Sequence, residues 1–129
     1  MARAHARSSG AQWRTDIQAG RHALVADEPA ALDGADAGPA PYELLTSALA
    51  ACTAITLRMY AARKGWPLAG IEVDVHFRKD GDAARIDRTL TLEGALDADQ
   101  RARLADIAER TPVTLTLKQG VGIVTNLVG

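Results

Sequence analysis

Few side chains in this 129-residue sequence have the chemistry to attack or hold a substrate. The single cysteine, Cys52, lies in the run from Leu44 to Leu57, where ten of fourteen residues are apolar and the rest are Thr46, Ser47, Thr53 and Thr56. A lone thiol there has two uses. Free cysteine packs as a small hydrophobe, or it acts as a nucleophile once a nearby cation favours the thiolate. In mid-helix the macrodipole gives it little help, so the cation must come from elsewhere in the fold. Arg21, at the head of a strand-like run, is the candidate; a solvated surface arginine is its plainer reading. Glu43 could orient a guanidinium through a bidentate pair, or merely offset the dipole at a helix start.

Other chemistries find no support. The histidines and Cys52 are scattered without metal-ligand spacing, so neither a metal site nor a bound cofactor is expected. His22 and His76 sit in strand patterns, His76 on the polar face as a surface residue. No Ser-His-Asp spacing, glycine-rich phosphate loop or nucleotide fingerprint occurs. Asp27, Glu28, Asp33 and Asp36 read as turn residues rather than paired catalytic acids. A net charge of -1 and a pI near 6.3 argue against nucleic acid or an anionic membrane as partner. One cysteine cannot form an internal disulfide, which suits a reducing compartment. Residues 1–10 are basic with no apolar core behind them, so no secretory signal is expected, and the 14-residue apolar run is short for a membrane span. A cytoplasmic, soluble protein of one domain (residues 1–129, with 1–12 frayed) is the expectation.

The elements that must position Cys52 follow from local pattern. Residues 13–17 and 21–27, broken at Ala19-Gly20, predict a β-hairpin. Residues 28–40 form a long loop with two prolines and two glycines, a length often tied to function. A helix then starts at Pro41, carries Glu43 in its first turn, and ends at Arg63, Lys64, Gly65 and Pro67. It is apolar nearly all round, which predicts full burial. Ile71, Val73, Val75 and Phe77 alternate with polar residues as a strand; a turn near Gly81 leads to a second with Ile86, Leu90 and Leu92, its dry face interrupted by Arg88. Asp97 and Gln100 have capping-box spacing for a surface helix that stops at Thr111-Pro112. Residues 113–117 and 121–128 read as two closing strands. The order is β-β-α-β-β-α-β-β, an α+β fold with antiparallel sheets around a buried central helix. One sheet cannot cover both faces of that helix, so a two-fold homodimer is expected.

The run Pro39-Ala40-Pro41-Tyr42-Glu43-Leu44-Leu45, the block from Ala51-Cys52-Thr53 to Met59-Tyr60-Ala61, and Lys64-Gly65-Trp66-Pro67-Leu68 together resemble the OsmC/Ohr family. Gly20-Arg21-His22, Asp36-Ala37-Gly38-Pro39, Leu96-Asp97 and Thr111-Pro112-Val113 fit the same pattern, so the resemblance spans the chain from about residue 13. It implies an intertwined homodimer with thiol sites at its interface, reducing organic or other hydroperoxides. A cysteine on the central helix becomes a sulfenic acid; an arginine stabilises its thiolate, and a glutamate near the helix start orients the arginine. Cys52, Arg21 and Glu43 match those roles.

Two positions depart from the family. Thr111 stands where the peroxidases carry a second, resolving cysteine, and Tyr42 stands where the glutamate often follows the proline. A threonine cannot close a disulfide, so an external thiol reductant is the implied partner of a single peroxidatic Cys52. The alternative is a non-enzymatic dimer holding a small hydrophobic ligand in its interface pocket.

Overall fold

A computed structural model describes all 129 residues, and helix ends and strand turns lie where local chemistry sets them. Contacts divide the chain into two compact units, Met1–Thr46 and Ser47–Gly129. In the first, β1 (Ala4–Ser8), β2 (Thr15–Ala19) and β3 (His22–Ala26) form an antiparallel sheet in the order β1-β2-β3. Gly20 turns the predicted hairpin with a φ of 58°, a left-handed conformation that costs glycine little. β1 was not expected. The segment read as frayed is tied to β2 by its backbone ladder although every side chain in it is exposed.

The long helix, α1 (Pro41–Lys64), begins at its predicted proline. Its far end is a Schellman motif: Trp66 N–H bonds Ala61 C=O at 2.9 Å and Gly65 N–H bonds Ala62 C=O at 3.2 Å, with Gly65 at φ 69°. Full burial does not hold. Within the chain Leu49, Thr53, Leu57 and Ala61 form one buried stripe, while Ala48, Ala51, Ile55 and Met59 lie exposed on the opposite face. At 24 residues α1 is also long and apolar enough, by length and composition alone, to cross a bilayer.

The second unit closes over the buried stripe. β4 (Gly70–Asp80) and β5 (Ala83–Glu93) pair antiparallel along their whole length through a turn at Gly81, and their apolar residues alternate inward as predicted. α2 (Ala98–Ala108) has its capping box intact: Asp97 Oδ1 accepts Gln100 N–H at 2.8 Å and Gln100 Oε1 accepts Asp97 N–H at 3.0 Å. Leu57, Ala61, Leu96, Leu104 and Ala108 make the core, flanked by Trp66, Ile71, Leu90 and Ile107.

Beyond α2 the expected closing strands are absent. Residues 112–119 are a helix, α3 (Pro112–Gln119). Pro112 opens it at a first-turn position, where its missing N–H is no loss. The alternation Val113-Thr114-Leu115-Thr116-Leu117 imitates a strand, but a short apolar run is ambiguous and the buried partners of Thr114 decide it. Gly120, at φ 76°, ends α3, and residues 121–128 are exposed and form no strand or helix. The observed order is therefore β-β-β-α-β-β-α-α, still α+β with two antiparallel sheets. Replacing Asp97 by Ala removes the Gln100 N–H bond and should lower stability by about 1 kcal/mol, read as a fall in the urea midpoint at unchanged m-value.

Candidate functional site

Cys52 lies in the middle of α1, at the border between its buried and open stripes. The thiol is half-buried, and its hydrogen-bonding partner is the Thr56 hydroxyl one turn on, 3.9 Å away. That is a weak contact. Thr53, the next residue, turns onto the covered face and is fully buried. Its hydroxyl donates back to Leu49 C=O at 2.7 Å, a one-turn back-bond, and accepts from Arg88 Nη1 at 3.0 Å.

Arg88 reaches this point from the inward face of β5, its side chain only 11% exposed. Nη1 also donates to Thr114 Oγ1 at 2.8 Å, while Nη2 donates to Ala108 C=O at 2.9 Å and to Glu109 Oε2 at 3.2 Å. Thr114 Oγ1 lies 2.6 Å from Thr111 Oγ1. One guanidinium thus joins α1, β5, the end of α2 and the start of α3. Glu109 also accepts from Lys118 Nζ at 3.0 Å; that hydrogen bond, with a further one from Arg88, holds its carboxyl below the usual range. Thr111 is buried in this network.

The other expected residues take no part in these hydrogen bonds. Glu43 Oε1 accepts Ala40 N–H at 2.9 Å, so the carboxylate caps its own helix. Nine positions separate Glu43 from Cys52, which puts them on opposite sides of α1 and about 13 Å apart along its axis. Arg21 belongs to the first unit, exposed in the β2–β3 turn and without an ion pair. His22 and His76 are exposed on strands, His76 as read from the sequence. Arg88 and its acceptors were missed as a site; the one signal was a charge breaking the dry face of β5.

The long loop is a built structure. Asp27 is buried, and its carboxylate accepts N–H groups from Glu28 at 2.8 Å, Ala37 at 3.1 Å and Ala35 at 3.3 Å. A Cβ on Gly34 would run into the backbone of Glu28, and one on Gly38 into that of Val25. Trp13 Nε1 donates to Leu32 C=O at 3.1 Å.

The Ala37 and Glu28 N–H bonds hold the Asp27 carboxyl below its usual value of 3.8. A lowered folded value contributes stability that is present above about pH 3.8 and lost as pH falls through the folded value. Amide exchange at Ala35 and Ala37 should therefore lose protection on acidification below that pH. Asp27→Asn should remove this pH dependence.

Comparison with known proteins follows the same outline. The sequence profile of OsmC-like protein matches residues 34–126. No curated protein matches the sequence. An OsmC-like protein from Mycoplasma pneumoniae superposes with a TM-score of 0.79 at 17% identity, covering 92% of this chain and 87% of its own. The organic hydroperoxide resistance protein OhrB of Bacillus subtilis gives 0.60 at 25% identity, covering 90% of each chain. An organic hydroperoxide resistance protein, OsmC, from Legionella pneumophila gives 0.66 at 18% identity, covering 92% and 89%.

Proposed function

We propose a redox role from a plain premise: the chain belongs to the OsmC-like protein family. The role is stress-related and thiol-dependent, the reduction of organic or other hydroperoxides at Cys52. The observation that carries it is the thiol itself, half-exposed in mid-α1 within the matched segment and at the edge of an open apolar stripe. Relatives of this fold named for organic hydroperoxide resistance support the substrate class.

The chemistry balances with one cysteine. The Cys52 thiolate attacks a peroxide oxygen; an S–O bond forms, the O–O bond breaks, and the departing alkoxide takes a proton to leave as alcohol. The sulfenic acid then reacts with an external thiol, releasing water and forming a mixed disulfide. A second external thiol attacks that disulfide and regenerates Cys52. Thr111 has no sulfur to intervene, so both reducing equivalents come from outside. Such a cycle suits the reducing cytoplasm.

Two copies complete the proposal. Glu43 and Cys52 lie on opposite sides of one helix, so the Glu43 carboxylate would meet a thiol only on another copy. Ile55 and Met59 are 57% and 51% exposed in the single chain. The eleven-residue strands β4 and β5 each leave an outer edge unpaired, an arrangement proteins normally cover. A homodimer that packs on the open stripe and pairs those strand edges answers all three, and the partner's Arg21 and Glu43 are the side chains we assign to Cys52.

Cumene hydroperoxide should be consumed with dithiothreitol as reductant, and Cys52→Ser should abolish turnover. Equal turnover in both, or none in either, removes the peroxidase reading. The second outcome leaves a ligand-binding dimer, whose interface pocket would take the same molecule without consuming it. Light scattering should give twice the 13.6 kDa chain mass, falling to one chain for Ile55→Asp. A stable wild-type monomer that sediments with lipid vesicles would put a bilayer, not a second copy, on that stripe.

A further inference from the structure

We propose that Arg88 is a positioning residue for Cys52, acting through Thr53; the proposal rests on the reading of Cys52 as a reactive thiol. The thiol has little of its own to fix it, a single 3.9 Å contact with Thr56. Its placement is therefore that of the backbone turn from Leu49 to Thr53. Thr53 adds a side-chain bond to this turn, donating to Leu49 C=O at 2.7 Å, and the same oxygen receives Arg88 Nη1 at 3.0 Å.

The guanidinium is itself immobile. Its two terminal nitrogens bond to four acceptors, and three of them (Thr114 Oγ1, Ala108 C=O and Glu109 Oε2) belong to the α2–α3 region. Ala108 and Thr114 are buried. The turn that presents the thiol is in this way referenced to α3 rather than left to the helix alone. Buried side chains on α2 and β5 that could substitute are apolar, and lysine cannot copy a fork that serves acceptors in four directions.

The chain of bonds continues to Thr111 Oγ1, 2.6 Å from Thr114 Oγ1. This is the position of the resolving thiol in the two-cysteine relatives that the sequence resembles. Here hydroxyls and a guanidinium join positions 53 and 111 with bonds that a change in sulfur oxidation state does not make or break. The α1–α3 geometry should then be the same before and after Cys52 is oxidised.

Full-length wild type, Thr53→Val, Thr53→Ser and Arg88→Lys test this with two readouts on the same thiol. One is single-turnover oxidation by cumene hydroperoxide; the other is alkylation by iodoacetamide, which needs no peroxidase activity. Thr53→Val, an isosteric change that removes the hydroxyl, should slow both by about tenfold, a loss typical of a small misplacement. Thr53→Ser should stay within about twofold of wild type, since only the oxygen matters to the arrangement. Arg88→Lys, where it folds, should lose at least as much as Thr53→Val. Wild-type rates in Thr53→Val, or equal losses in Thr53→Val and Thr53→Ser, overturn the proposal, as does a folded wild type whose thiol reacts with neither reagent. Should the wild type alkylate but not reduce hydroperoxide, the peroxidase reading fails alone and the alkylation series still decides the role of Arg88.

Discussion

A guanidinium taken out of water must find acceptors for its N–H groups, and in the second unit Arg88 finds four. Thr53 comes from α1, Thr114 from α3, and Ala108 and Glu109 from the end of α2. Each partner offers an acceptor that an Arg88 N–H fills. The Ala108 carbonyl stands in the last turn of α2, where helix carbonyls lack intrahelical donors, and the Thr53 and Thr114 hydroxyls are buried. No buried side-chain polar atom in the chain is left without a partner. The apolar core of Leu57, Leu104 and their neighbours supplies adhesion without direction. The guanidinium fork supplies the direction, because its bonds fix how far α1 and α3 rotate against β5.

That constraint also explains the two faces of α1. One face is fixed by Thr53 and the buried leucines; the other, with Ala48, Ala51, Ile55 and Met59, meets nothing within the second unit. Cys52 lies on the boundary between them. A thiol there is held by a rigid turn and reached from the open side, a combination useful to a nucleophile and of no special value to a core filler. The same boundary placement makes the site depend on what covers the open stripe, which is why a second copy and the chemistry belong to one account.

Much of the fold is legible in the sequence wherever the cause is local. Pro41, Gly65, the Asp97–Gln100 capping box and the alternation of Ile71 through Phe77 each act over a few residues, and each lies where the pattern puts it. What escapes reading is non-local. The alternation at residues 113–117 favours a strand until Thr114 meets Arg88, and Pro112 reads equally as a stop and a start. Arg88 finds Thr53, Thr114 and Ala108 at separations of 35, 26 and 20 residues, and no periodicity within one strand reveals them. Glu43 is a different case. The sequence offers it a guanidinium to orient or a dipole to offset, and within one chain its carboxylate instead caps Ala40 N–H.

The account stands or falls on whether Cys52 becomes a sulfenic acid. Native protein exposed to one equivalent of cumene hydroperoxide in the presence of dimedone, then digested and weighed by mass spectrometry, asks this directly. The predicted result is a dimedone adduct on the peptide carrying Cys52, in near-stoichiometric yield and absent without peroxide. An unmodified Cys52 recovered from folded protein after full exposure would contradict it.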